Sequence, residues 1–194
     1  NLSLSYRNGN INVFGTYNAR YLEGFRNNYN DIIQGEGSNV FILDQNRVGS
    51  DLDAGQTFRV GTDINLNPRN TMGFIFTGAT GQRDRTGKLW NGQLDTNGQV
   101  IDLWSRYSYD PSNRTNYDFS FNFKHDFKDN RGNLMLDANQ SIGEEHTQGY
   151  YTNTYYTPDT VELNQAKIEQ QLFNIDKNLI TTAQADLTYL FPDL

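Results

Sequence analysis

Residues 117–127 read Tyr117-Asp118-Phe119-Ser120-Phe121-Asn122-Phe123-Lys124-His125-Asp126-Phe127. Every odd position except His125 is aromatic, and every even one is polar or charged. Only an extended strand, whose side chains alternate between two faces, sorts such a pattern into one apolar and one wet surface. A soluble sandwich can turn the same aromatics inward. Length decides between the two. The parity continues back through Tyr109, Tyr107 and Leu103, which gives one strand near 80 Å long at about 3.3 Å per residue. Strands of ordinary globular domains stop at about 10 residues. A transmembrane strand needs about 9–11 to cross the hydrocarbon, so this one crosses it and projects well beyond.

The totals agree with that reading. The 194 residues are 36% hydrophobic, and mean hydropathy is −0.75, yet aromatics reach 13%. A chain that is polar on average but rich in Tyr and Phe fits a barrel wall with a wet lumen and an apolar outer face. No run of 18 apolar residues exists to form a helical span, and no charged-then-apolar leader opens the chain. Asn1-Leu2-Ser3-Leu4-Ser5-Tyr6 already looks like the middle of a strand, so the expectation is an arc cut from a larger protein. The net charge of −7, without clustered Lys and Arg along the sequence, argues against nucleic acid as a partner. The absence of cysteine removes disulfides, thiolate nucleophiles and Cys-based metal sites.

Taken in order, Leu2, Leu4 and Tyr6 alternate with Ser3, Ser5 and Arg7 up to a hairpin signal at Asn8-Gly9-Asn10. Ile11, Val13, Tyr17, Ala19 and Tyr21 follow on one face, with Phe14 and Leu22 breaking the alternation on the other. Gly24 to Asp53 lacks the pattern and reads as a large loop, with a pairing inside it at Val40 to Leu43. Phe58, Val60, Thr62, Ile64 and Leu66 restore the alternation as far as Asn67-Pro68-Arg69-Asn70, a turn with φ preset by Pro. Met72, Phe74, Phe76 and Gly78 lead into a second polar loop, in which Asn97-Gly98 signals a type I′ turn and a protruding hairpin over Leu89 to Leu103. The long strand returns to Asp129-Asn130-Arg131-Gly132, and Leu134, Leu136 and Ala138 begin another ascent. A third large loop is expected from Gly143 to Gln165. The last strand keeps one parity through Phe173, Ile175, Leu179, Ala183, Ala185, Leu187, Tyr189 and Phe191, then meets Pro192-Asp193.

The short turns at Asn8-Gly9, Pro68-Arg69, Asn130-Gly132 and Pro192-Asp193 recur about every 60 residues. Each interval holds two long strands and one long polar segment, the rhythm of an antiparallel up-and-down transmembrane β-barrel. The count is about seven strands. Seven alone would leave two open edges in lipid, where unpaired N–H and C=O groups cost several kcal/mol each. The expected fold is therefore all-β, with residues 1–194 forming part of one barrel domain and no separate plug or soluble domain.

Four stretches carry a family resemblance: Asn12-Val-Phe-Gly-Thr-Tyr17, Arg59-Val-Gly-Thr-Asp63 leading to Asn70-Thr-Met72, Asn122-Phe-Lys-His-Asp-Phe127, and Thr182-Ala-Gln-Ala-Asp-Leu-Thr-Tyr-Leu-Phe-Pro192. Together they resemble the C-terminal barrel of TonB-dependent receptor-like outer-membrane proteins of the Bacteroidota type. The resemblance covers nearly the whole chain, although each motif is only a strand-and-turn pattern. It implies a location in the cell outer membrane and uptake of a bulky nutrient such as a siderophore, glycan or peptide. It further implies a plug domain, energy supplied by the TonB system and a possible surface lipoprotein partner. No cofactor is implied.

Parity sorts the candidate residues. Phe58, Val60, Phe74, Phe76, Phe119, Phe121, Phe123, Leu187 and Tyr189 fall on the lipid-facing side. Arg7, Arg20, Arg59, Asp63, Asp118, Lys124, Asp126, Asp137 and Asp186 fall on the lumen side. Those charges either hold a plug and steer a ligand or simply pair across neighbouring strands. Trp90, Tyr150, Tyr151, Tyr155 and Tyr156, expected in the loops, either stack on a ligand or pack their own hairpin and the interfacial girdle. Asp95 to Asp102 has the oxygen-rich spacing of part of a Ca²⁺ loop, but lacks its closing Glu and has its Gly displaced. The sequons at Asn113 and Asn139 carry no weight in a bacterial barrel.

His125 and His146 are the only histidines. His125 reads as interfacial. His146, beside Glu144 and Glu145 and beyond Ser141, offers the one route to a Ser-His-carboxylate hydrolase. No catalytic or metal-binding residues are otherwise expected. The transport barrel leads, with an outer-membrane hydrolase and a soluble β-sandwich binding module as rivals.

Overall fold

A computed structural model describes residues 1–36, 40–163 and 167–191. Seven strands run in chain order: β1 (Leu2–Asn8), β2 (Ile11–Gln34), β3 (Phe41–Asn67), β4 (Asn70–Leu94), β5 (Val100–Asp126), β6 (Gly132–Tyr156) and β7 (Ile168–Tyr189). Each pairs antiparallel with its sequence neighbours in a single sheet ordered β1 to β7. The described residues contain no α-helix, only a 3-10 turn at Lys128–Asn130. No second layer covers either face, and no apolar side chain among the described residues is buried. The sandwich alternative needed such a layer. What the chain forms instead is an up-and-down wall that does not close on itself, with β1 and β7 as its edges.

The long strand is present as β5, 27 residues from Val100 to Asp126. The three large loops are not. Residues expected to form the first loop pair without interruption, from Phe25 opposite Ser50 to Gln34 opposite Phe41. The second expected loop is strand up to Leu94, and the third is strand up to Tyr156; its expected end at Gln165 lies outside the described residues, as does the turn at Pro192-Asp193. The backbone ladder continues where the alternation fails because polar residues there interrupt the apolar side, as Asn27 and Asp31 do between Phe25, Tyr29 and Ile33. A strand needs paired N–H and C=O groups, and it shows a period of two only where its faces meet different surroundings.

Residues directly opposite one another share a face, so the pairing defines rows across the sheet. Tyr6, Val13, Thr62, Phe74, Phe121, Ala138 and Ala183 form one row, and Ile11, Ile64, Met72, Phe123, Leu136 and Ala185 the next below. Above them Leu4, Val60, Phe76 and Phe119 share a row, then Leu2, Tyr17, Phe58, Tyr117, Ile142 and Leu179 share another. Rings interlock along the band: Phe74 and Phe121 have centroids 5.1 Å apart, and Phe76 and Phe119 4.8 Å apart. The band ends abruptly. The next row up holds Ala19, Gln56, Thr80, Thr115, Glu144 and Lys177. At the lower end His125, Phe127, Tyr189 and Phe191 form a chain of edge-on aromatics, 5.0 to 5.4 Å apart. Among the described residues, the only polar side chains facing each other inside the band are Gln140 and Thr181, on β6 and β7.

Phe14 acquires a cause. It lies on the polar face opposite Gly61, and its ring covers that glycine so closely that a Cβ on Gly61 would strike the ring's Cζ and Cε atoms. Phe58 covers Gly78 in the same way on the apolar face. An aromatic laid over a cross-strand glycine shields the bare backbone and pins the register. Leu22 has no such explanation and stays 60% exposed.

The turns also differ in one respect from expectation. At the tip of β4 and β5, Gly98 has φ +79 whereas Asn97 does not have positive φ, so the turn is not type I′. Gly98 N–H donates to the Asp95 carbonyl at 3.0 Å, and Asp95 N–H donates to the Gln99 carbonyl at 2.9 Å. This is a type I turn closed by a left-handed glycine, the usual alternative when only one residue takes positive φ. Asp95 Oδ1 accepts from the N–H groups of Asn97 and Gln99, both at 2.8 Å. Those bonds, with Gln99 foremost, hold the Asp95 carboxyl below its ordinary range.

Candidate functional site

All nine charged residues expected to line the lumen, Arg7, Arg20, Arg59, Asp63, Asp118, Lys124, Asp126, Asp137 and Asp186, share the face opposite the phenylalanine band. Arg20 bridges to Asp53 at 2.8 Å and Lys124 to Asp126 at 2.9 Å. Asn12 donates to Asp63 at 3.2 Å, and Gln184 to Asp186 at 2.7 Å. Cross-strand ion pairing is thus the exception here. Most of these charges meet neutral hydrogen-bond partners or none.

The five aromatic candidates are strand residues and do not gather. Trp90, Tyr150 and Tyr156 lie on the face that carries the phenylalanines, far above the band, where Trp90 and Tyr156 pack at 5.0 Å and Lys88 sits 4.2 Å over the Trp90 ring. Tyr151 and Tyr155 lie on the polar face. Trp104 pairs with Tyr155 there, an aromatic that the sequence reading passed over because the apolar parity of β5 does not include it.

Above the band, the polar face assembles what the sequence leaves scattered. Arg26, Gly49, Gly87, Ser108 and Tyr151 form one row; Arg47, Leu89 and Arg106 stand in the row above; Asp51, Arg85 and Asp110 stand in the row below. The two glycines and Ser108 leave a floor with little side chain, so the longer residues enclose a depression of about 360 Å³. Gly49 has no alternative, since a Cβ there would run into the Thr86 carbonyl. Asp51 holds two of the arginines, Arg26 at 2.9 Å and Arg85 at 3.4 Å. The Nε–H of Arg26 is covered with no described atom accepting from it, and that of Arg85 meets only the Asp51 carboxylate at the 3.4 Å of their ion pair. Arg106 lies 4.5 Å over the Tyr151 ring, whose hydroxyl donates to Asp110 at 2.6 Å. That bond, then burial, raises the Tyr151 pKa and keeps its hydroxyl a donor. Four guanidinium groups therefore line a recess in which Asp110 is the one carboxylate, with Asp51 behind Arg26 and Arg85, in a chain whose overall charge is −7.

His146 sits on the phenylalanine side of β6, bonded to Glu144, which also meets Lys177 at 3.3 Å. Ser141 lies five residues away on the opposite face, paired with Asp118 and Ile180. An odd separation along one strand points two side chains to opposite surfaces, so the hydrolase arrangement through Ser141 is not assembled. His125 Nδ1–H donates to Asn70 Oδ1 at 2.7 Å, and the ring meets Phe127 edge-on at the short-turn rim.

No protein-family model matches the chain, and no curated protein matches it. Among solved structures, it is similar to the cryo-EM structure of the membrane pore complex of pneumolysin, with 10% identity and a TM-score of 0.16 over 92% of this chain. It spans about a third of that structure's chain, 32%. A likeness at that level carries no argument. The class of protein rests on the wall itself, an all-β antiparallel meander in a single layer.

Proposed function

We propose that this wall is one arc of an outer-membrane transport and receptor barrel, of the TonB-dependent type that its strand-and-turn motifs resemble, taking up a bulky nutrient through a plugged lumen. The observation that carries this reading is the confinement of the apolar rows. They occupy one face, give way above to a row that holds Glu144 and Lys177, and finish in an aromatic girdle below. A bilayer imposes such limits, since a lipid-facing surface must be apolar across the hydrocarbon and nowhere else, with aromatic rings at the boundary. The open edges at β1 and β7 support a larger closed wall, because unpaired strand edges are not tolerated in lipid. The plug, the TonB system and a surface lipoprotein follow from the resemblance.

The test is the migration of the full-length protein from washed outer membranes on a mild SDS gel. A chain several times larger than 22.3 kDa that runs faster unheated than heated is the expected result. A soluble species of about this mass without a heat shift overturns the proposal.

A further inference from the structure

We infer that the arginine-walled recess on β2 to β6 binds a soluble ligand bearing several oxyanion groups, whether phosphate, sulfate or carboxylate. The inference rests on the polar face being the inside of the wall. Three features of the recess support it. It is built by register, because Gly49 and Gly87 clear the floor in the row where Arg26 and Tyr151 stand at the sides. Its charge is uncompensated, because Asp51 is taken by Arg26 and Arg85, Asp110 accepts from Tyr151, and neither Arg47 nor Arg106 is ion-paired with a described carboxylate. It also has donors in place. The Arg106 guanidinium is braced on the Tyr151 ring, and a planar fork held in this way loses little entropy when it takes up an oxyanion in a bidentate manner.

A volume of about 360 Å³ is at the small end of ligand sites and suits two or three such groups on a small carrier. The recess lies on the face opposite the phenylalanines, well above their upper limit, which points to a solute and not to a membrane headgroup.

Binding of inorganic pyrophosphate to the full-length protein in detergent, followed by titration calorimetry, tests the site. Saturable binding is expected, with a loss of about tenfold or more in the Arg47→Gln, Arg106→Gln double variant. Arg47→Lys with Arg106→Lys should fall between the two, since charge survives and the fork does not. Lys177→Gln, on the opposite face, should leave binding unchanged.

Lipid A vesicles should not displace the probe. Displacement by them would assign the oxyanion to a lipid headgroup and overturn the inference, as would equal binding by the double Gln variant. The same preparations are run heated and unheated. A retained heat shift without saturable binding overturns the anion site alone, whereas a missing heat shift overturns the wall on which it rests.

Discussion

The sheet is built differently above and below the row of Thr115. Below it, the two faces differ in polarity: Phe74, Phe76, Phe119 and Phe121 on one, Arg59, Asp63, Asp118 and Asp137 on the other. Above it, polar groups lie on both faces: Arg26, Arg47, Arg85 and Arg106 share one, while Asp84 and Lys88 stand among Tyr109, Tyr150, Trp90 and Tyr156 on the other. The same ladder of backbone hydrogen bonds runs through both regions. Side-chain alternation therefore reports a difference in solvent between the two faces. It does not report the strand.

The largest effect expected from that contrast is in the lower region. Phe121→Asp places a carboxylate in the middle of the apolar band and should cost about 2 kcal/mol of assembly energy. Asn122→Asp, on the wet face, should be tolerated. The fraction of each variant that shows a heat shift measures this, and equal yields would mean that the faces are assigned the wrong way round.

Next comes the clasp of Phe14 over Gly61 on the polar face. Gly61→Val drives a side chain into the Phe14 ring and should destabilise by roughly 2 kcal/mol, as overpacking does. Phe14→Ala should cost about 1 kcal/mol, and combining them should cost less than the two together, because removing the ring makes room for the valine. Urea midpoints in detergent decide it; strict additivity would mean that ring and glycine do not touch.

In the upper region single ion pairs matter less. Asp53→Asn breaks the bridge to Arg20, whose side chain is 67% exposed, and should shift the midpoint by no more than about 0.5 kcal/mol.

The smallest effect is on a titration. His146, then Lys177, hold the Glu144 carboxyl below its ordinary pKa. The folded value is the lower one, so the contribution is complete above the ordinary carboxylate pKa and fades as pH falls through the depressed value. Lys177→Gln should move the Glu144 transition upward, as read by carbon NMR of the labelled carboxyl. No movement would remove Lys177 as a cause.

The lower region was legible from sequence because there the two surroundings differ. Phe119 to Phe123 fixed both the strand and its faces, and Asn8-Gly9, Pro68-Arg69 and Asn130-Gly132 fixed the short-turn rim. The upper region was read as loops because charged and polar residues interrupt its apolar side, as Asn27 and Asp31 do between Phe25, Tyr29 and Ile33 on β2. The recess was lost with it. Arg26 and Arg47 lay in one supposed loop and Arg85 in another, while Arg106 sat on the long strand, and only the register shows that they are neighbours. Gly49 and Gly87 were a signal that could have been used, since glycine within a polar strand marks a close approach of backbone or an opening for something else.

The placing of the short turns fixes an angle. Asn8 and Ile11 close in the row of Phe123, Asn70 pairs with His125, and the third turn opens only beyond Asp126. Over four strands the turn midpoints descend by about five residues, roughly 16 Å down against about 19 Å across. If these turns lie at one height, every strand leans by roughly 40° from the vertical, within the range of barrels that span membranes. On that slope the distance from Tyr117 to Phe127, about 33 Å along the strand, stands only about 25 Å tall, while the strand above Tyr117 rises about 40 Å higher. The wall is a leaning palisade that carries its apolar band over the lowest third of its height.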